Sequence, residues 1–293
     1  MSNAITDAFT AVADAIRKRT GKTDKMDVAE MPAEIAGIPT GGHGKELIER
    51  TITSYESNDL TEIGSYAFSY CKSLASVSFP AVKTIGESAF ENCDNLASVE
   101  IPIVTKIGNN AFISCDKITS ANFPAVKTIG ESAFENCDKI TSADFPVATK
   151  IGHFAFELCR ELTTVNFPAA TKIYGQAFGY CGNLASADFP SVTMIDAASF
   201  EYCGNLASAD FPSVTKIYFE AFSNCSKITS IKIGSKNPNV CTLSNSNAFD
   251  NTPIASGTGF IYVPDNLVES YKTATNWTVY ANQIKPLSEA PTT

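Results

Sequence analysis

Histidine is nearly missing from this chain: its 293 residues include only His43 and His153, with one tryptophan and four methionines. Acid–base or triad chemistry at histidine therefore has almost nothing to run on. Basic charge is short too, since 22 Lys and Arg stand against 31 Asp and Glu for a net −9. Nucleic acid is excluded as a partner on that balance, because phosphate binding needs clustered cations to displace counterions. No window approaches the roughly 20 apolar residues that span a bilayer, so membrane insertion is not expected. The opening MSNAITDAFTAVADAIRKRTGK lacks the order of a secretory leader: Asp7 and Asp14 interrupt its apolar part, and Arg17, Lys18 and Arg19 follow that part. Read as a complete chain, it predicts synthesis in the cytoplasm without general export. Gly21-Lys22-Thr23 has the ending of a phosphate-binding loop, but Ile16 stands where the loop needs its first glycine.

What the chain has in abundance is repetition. Phe recurs at 68, 90, 112, 134, 156, 178, 200 and 222, and Cys at 71, 93, 115, 137, 159, 181, 203 and 225, both in steps of 22. Only Cys241 of the nine cysteines falls outside this register. A fixed period of this size is the mark of a solenoid. In the unit LASVSFPAVKTIGESAFENCDN, residues 74–95, Leu74, Val77 and Phe79 have the L-x-x-L-x-L spacing of a leucine-rich-repeat strand. Pro80 ends that strand, having no N–H for a ladder. Val82 and Ile85 predict a second short extended segment, and Ser88 to Cys93 a tight helical turn that carries Phe90 and Cys93 inward. The fold class is thus a leucine-rich-repeat solenoid of parallel stacked strands, with eight 22-residue repeats over residues 46–233. One unit buries too little to order itself, so stacking must supply the stability.

The ends read differently. Ile5, Phe9, Val12 and Ile16 have helical spacing, which predicts a short helical attachment module at residues 1–36, and GIPTGGHG reads as a linker over 37–45. Beyond Gly234 the period lapses, and Phe249 follows Phe222 by 27 residues instead of 22. Residues 234–293 are expected to form an irregular last coil and a cap: GFIYVP as the last strand, Asp265 as the N-cap of a helix, and Trp277 and Ile284 folding over the open end.

The repeat resembles the bacterial leucine-rich repeats called BspA-like, close to L-x-x-[VI]-x-[IF]-P…IG-x-x-A-F-x-x-C, over about residues 50–250. The ending FIYVPDNLVESYKTATNWTVYANQIKPL is similar to that family's terminal strand and helix. The resemblance implies a non-enzymatic surface protein that binds host or bacterial ligands. Residues 10–38, TAVADAIRKRTGKTDKMDVAEMPAEIAGI, are similar to segments at the start of phage and prophage tail-associated proteins. That likeness implies a virion or post-lysis extracellular location, with a bacterial cell surface as the alternative. Residues 1–36 would then contact other virion proteins or self-associate.

The cysteine column reads as buried structural thiols, with disulfides or zinc as weaker readings: parallel inward side chains lack crossed Cβ geometry, and no C-x-x-C pair or nearby histidine is supplied. Asp144, Asp188 and Asp210 form an acidic column that reads as a solvated face. No cofactor or metal is called for. Ligand-binding candidates come from comparing copies. The outward strand face is small and monotonous, as in Ala75, Ser76, Ala185 and Ser186. The slots around A-F-x-x-C instead carry large, varied groups, among them Tyr66, Tyr70, His153, Phe154, Tyr174, Gln176, Tyr180, Tyr202, Tyr218 and Phe219. Tyrosine beside Asn, Asp and Gly is the composition of recognition surfaces for protein or glycan; drift at solvent positions, or packing between coils, would produce the same letters. The expected function is recognition of a cell-surface protein or glycan, with a structural spacer or assembly element as the alternative.

Overall fold

Every coil of this chain has three sides, and each side makes its own ladder to the neighbouring coils. The structure, a computed structural model, describes residues 50–291. The helical module expected at 1–36, the linker at 37–45 and the phage-like segment at 10–38 lie outside the described residues.

The first side is the L-x-x-L-x-L strand. Ser54–Glu56, Ser76–Ser78 and Ser98–Glu100 pair in parallel, as do Ser120–Asn122, Ser142–Asp144 and Thr164–Asn166, and a five-stranded sheet runs from Ser186–Asp188 to Ile284–Pro286. Both interruptions fall where an inward valine, Val99 or Val165, meets an alanine one coil later, Ala121 or Ala187, and both valines are only half-buried. The second side is shorter but unbroken. Two-residue strands from Glu62–Ile63 to Thr242–Leu243 form one nine-stranded parallel sheet.

The third side departs from the expected helical turn. Its N–H groups alternate: those of Ser88, Phe90 and Asn92 donate to Asn109, Ala111 and Ile113 of the next coil at 2.9, 2.8 and 2.9 Å, while Glu91 and Cys93 bond back to Ser88 and Phe90. Such alternation requires the chain to reverse hand twice per coil. Ser88 and Asn92 therefore sit at φ +50 and +55°, and every coil repeats the pair, through Asn110 and Ser114 to Glu220 and Asn224. A helix would turn these N–H groups back along their own chain and forfeit the third ladder.

Left-handed geometry costs an L-residue about 1–2 kcal/mol, and Asn less, because its short polar side chain bonds locally. Leu158 occupies such a position, at φ +61°. Leu158→Asn, which places there the residue found at Asn92, Asn136 and Asn224, is expected to stabilise the protein by about 1 kcal/mol, read as a higher urea midpoint.

Close stacking also explains a glycine column. A Cβ on Gly130 would lie 2.5 Å from the Gly108 carbonyl carbon and oxygen and 2.6 Å from Asn109 N. Gly130→Ala is therefore expected to cost about 1–3 kcal/mol through displaced backbone, with a lower thermal midpoint by calorimetry. Three later coils hold Tyr174, Asp196 and Tyr218 in this column and keep the same bond to the preceding Ile, at 3.0–3.1 Å.

The core is made of columns. Phe68 to Phe222 and then Phe249 stack at 5.1–5.6 Å with planes within 12°. The 27-residue step thus keeps the register, and the five extra residues leave the stack intact. All nine cysteines are buried free thiols. From Cys93 to Cys225, each repeat thiol donates to the Phe carbonyl oxygen of the preceding coil at 3.0–3.1 Å.

At the C-terminal end the cap follows the expected strand and helix with two corrections. Phe260–Val263 is not the last strand, because Ile284–Pro286 pairs outside it. Asp265 does not cap the helix Val268–Thr273, whose N-cap is Leu267 with no side-chain bond; Asp265 instead accepts the Ser288 N–H at 3.1 Å. Trp277, Tyr271 and Tyr280 close the core, and their polar atoms meet the backbone of the last coil at Cys241 and Ser246. Asn276 Nδ2 donates to the Leu243 carbonyl oxygen at 2.8 Å. Among the described residues no helix is long and apolar enough to cross a membrane.

Candidate recognition face

Although Ser88, Ser132 and Ala198 are buried at left-handed positions of the third side, several others of these positions present their side chains outward. Five of the sequence candidates stand on them: Tyr66, Tyr70, Phe154, Tyr180 and Tyr202, all at φ +57 to +62°. Gln176 is a sixth, at φ +55°. The remaining four, His153, Tyr174, Tyr218 and Phe219, lie just upstream in the same turn. That these large side chains sit in left-handed backbone was not readable from the letters; the signal available was Asn and Ser in the same two columns, residues that tolerate this region.

The structure does not gather the ten candidates at one point. They divide along the edge into groups set by the coil spacing. On the first described coils, Tyr66 donates to Glu87 Oε1 at 3.2 Å and Tyr70 to Glu91 Oε1 at 3.5 Å, and burial followed by Glu87 pushes the Tyr66 hydroxyl up. His153, Phe154 and Tyr174 form a second group, with ring centres 5.0 Å apart for His153 and Tyr174 and 6.2 Å for His153 and Phe154. Tyr180 and Tyr202 make the third, stacked at 4.7 Å with planes 10° apart and still 38% and 45% exposed. Gln176 reaches Glu157 Oε1 at 3.5 Å beside them. Finally Lys216 Nζ lies 4.3 Å from the centre of the Tyr218 ring, and Phe219 is 46% exposed.

A column of carboxylates borders the tyrosine pair: Glu135, Glu157 and Glu201, with Gly179 in the fourth place between the last two. Burial, then Glu135 and Glu201, push the Glu157 carboxyl up, and burial followed by Glu220 does the same to Glu201. Burial and then Glu201 raise the Tyr180 hydroxyl.

The strand face is less uniform than its letters suggest. Asp188, Ser208, Asp210, Ser230 and Lys232 line a recess of about 360 Å³ that the end of the chain borders at Pro291. Burial raises the Asp210 carboxyl, Lys232 opposes that rise, and Asp188 adds to it. Sequence reading passed over this recess because the returning C-terminal segment forms its wall. Among the described residues, no three His, Cys, Asp or Glu side chains converge as a metal site would require.

No curated protein sequence matches this chain. Solved structures similar to it include a leucine rich cell surface protein from Faecalibacterium prausnitzii, 22% identical, covering 79% of this chain and 82% of that one, with a TM-score of 0.35. The leucine rich repeat protein of T. pallidum is 23% identical over 62% of this chain and 72% of that one, with a TM-score of 0.30. The pneumococcal vaccine antigen PcpA is 16% identical over 80% and 66%, with a TM-score of 0.46. A family model described as the BspA type leucine rich repeat region matches six copies over residues 49–150 and 149–269. With most of the length matched and the repeat columns stacked as that pattern requires, the chain belongs to the BspA-type leucine-rich-repeat family.

Proposed function

We propose that this protein is a non-enzymatic recognition and adhesion protein, whose third side binds a protein or glycan on a cell surface. One observation carries the reading. Tyr66, Tyr70, Tyr180 and Tyr202 stand exposed at left-handed positions where a large side chain costs about 1–2 kcal/mol, while several other coils fill the same columns with Asn or Ser. Strain held at an exposed aromatic points to a use outside the fold. Stacking at about 0.5–1.5 kcal/mol offsets the cost for Tyr180 and Tyr202, but Tyr66 and Tyr70 are held by single hydrogen bonds to Glu87 and Glu91. A phage or prophage tail is the setting suggested by residues 10–38; the family match begins at residue 49 and supports recognition without specifying a virion. Residues 1–36 are assigned to attachment in this reading.

The test is binding of the labelled full chain to a panel of bacterial and host cells. The variant is the triple Phe154→Ser, Tyr180→Asn and Tyr202→Asn, each of which installs a residue that another coil already carries at positive φ. Binding at least about tenfold weaker, as for loss of a central aromatic cluster, with a urea midpoint no lower than the parent's, is the expected result. Equal binding by both proteins removes this face from the function.

A further inference from the structure

The chain neutralises some of its surface carboxylates and leaves others bare, and the division is spatial. In the loops after Cys71, Cys93, Cys137 and Cys159, cations are set against anions one coil away: Lys72 with Asp94 at 2.9 Å, Arg160 with Asp138, and Lys139 with Glu161. The column beside Tyr180 and Tyr202 has no such partner. Among the described residues Glu135, Glu157, Glu201 and Glu220 form no ion pair, and burial, with neighbouring carboxylates adding to it, pushes the Glu157 and Glu201 carboxyls up. The two tyrosine rings lie against this bare column.

Gly179 shapes the site. It occupies the carboxylate column between Glu157 and Glu201, and a Cβ there would meet Gln176 O at 3.4 Å and the Glu157 Cγ at 3.6 Å as ordinary contacts. With the Gln176 Cβ also at the ordinary distance of 3.6 Å, a side chain would fit, yet none is present. The two carboxylates therefore flank a gap two coils wide, about 10 Å at the parallel-strand spacing. The stacked, half-exposed Tyr180 and Tyr202 rings stand beside it.

Resting on the proposed recognition role of this face, we infer that the Tyr180–Tyr202 region takes a basic segment of a protein partner, with a guanidinium stacked on the rings and cationic groups held at Glu157 and Glu201. An anionic ligand would be repelled by four carboxylates on a chain of net charge −9. A neutral glycan could stack on the rings and donate hydroxyls to the carboxylates, but it would bring no cation to offset their charge. Arginine answers both features at once, because its planar cation stacks on tyrosine and forks onto carboxylates. In a polyproline II segment, with three residues per turn and a rise of about 3.1 Å, arginines three residues apart share one face and are separated by about 9 Å, which matches the gap.

Isothermal titration of the full chain would use the capped peptide Gly-Arg-Gly-Gly-Arg-Gly, its citrulline counterpart of equal shape and no charge, and the hexamer of N-acetylglucosamine. Saturable binding of the arginine peptide is expected, weakened about tenfold or more by citrulline, by Glu157→Gln with Glu201→Gln, and by Tyr180→Asn with Tyr202→Asn. The double variant Asp144→Asn and Asp188→Asn makes the same change in net charge on the strand face and is expected to bind as the parent does. No saturable binding of the arginine peptide overturns the inference, as does equal weakening by the strand-face variant, which would mean bulk charge alone. Binding of the sugar hexamer that depends on the tyrosines and not on the carboxylates would also overturn it, while leaving the recognition role of the face standing. Loss of cell binding in the tyrosine variant, with none in the carboxylate variant, would have that same meaning.

Discussion

Above about pH 9 the solenoid is expected to unfold cooperatively, driven by its own cysteine column. Burial pushes the Cys71 and Cys137 thiols up to about 12. It also raises those of Cys115, Cys159, Cys181, Cys203 and Cys241. An unfolded thiol releases its proton near pH 8.5. Between that value and the folded one, the unfolded chain binds fewer protons than the native chain, so stability falls as pH rises, by about 1.4 kcal/mol per thiol per pH unit. Seven such thiols in one stacked core lose on the order of 10 kcal/mol per pH unit, comparable with the whole stability of a typical domain. Below about pH 8 the contribution is complete and the profile should be flat in this respect. Far-ultraviolet circular dichroism and thiolate absorbance, followed together through an alkaline titration, check this. Coincident transitions are expected. Thiols that titrate near pH 9 while the dichroism stays native would contradict it.

Trp277→Ala is expected to cost about 3–5 kcal/mol by cavity formation alone, the largest effect of any single substitution considered. The indole is fully buried, meets Tyr271 edge-on at 5.3 Å and lies 6.4 Å from Phe249, the last ring of the Phe stack. Its Nε1–H donates to the Cys241 carbonyl oxygen at 2.7 Å. Truncation leaves that buried carbonyl without its partner, a further 1–3 kcal/mol or so. Loosening the cap also uncovers the last coil's ladder, so association through the exposed end should accompany the loss. Urea unfolding followed by circular dichroism reads the first effect and light scattering the second. Trp277→Phe, which keeps much of the apolar volume, should fall between. A midpoint unchanged in Trp277→Ala would show that the cap is not what closes the core.

How far the letters reach can be judged coil by coil. Leu74, Val77 and Phe79, and then Val82, Ile85, Phe90 and Cys93, were readable as inward anchors because a fixed period of 22 exposes which positions tolerate no drift. All are buried. The geometry of Ser88 to Cys93 was not readable, since helix and double left-handed turn make the same inward demand on Phe90 and Cys93 and differ only in where the N–H groups go. That is decided by the neighbouring coil. Likewise Phe249, five residues late, looked like the end of the register, yet its ring stacks on Phe222 at 5.4 Å, because an insertion in a loop need not disturb the column beneath it. Asp265 had the local look of an N-cap, and the turn that follows the returning strand recruited it instead, through the Ser288 N–H.

For the candidate face the division is similar. The sequence located the variable, aromatic slots by comparing copies within one chain. It did not show that Tyr180 and Tyr202 stack, that Gly179 opens a gap in a carboxylate column, or that Tyr66 and Tyr70 are held by Glu87 and Glu91. Residues 22 apart touch only when a repeat returns above itself, and their side-chain meetings depend on coil spacing and twist that no single unit contains.

Period, anchors, the absence of histidine chemistry and the acidic balance are properties of the order and kind of residues, and they determine that this chain stacks into a BspA-type solenoid. The hand of the turn, the three-way hydrogen bonding of each coil, the breaks in the strand face and the arrangement of the tyrosines and carboxylates are decided only in the stack. There each backbone group must find its partner one coil away, and the neighbour, not the local sequence, sets which conformations satisfy it.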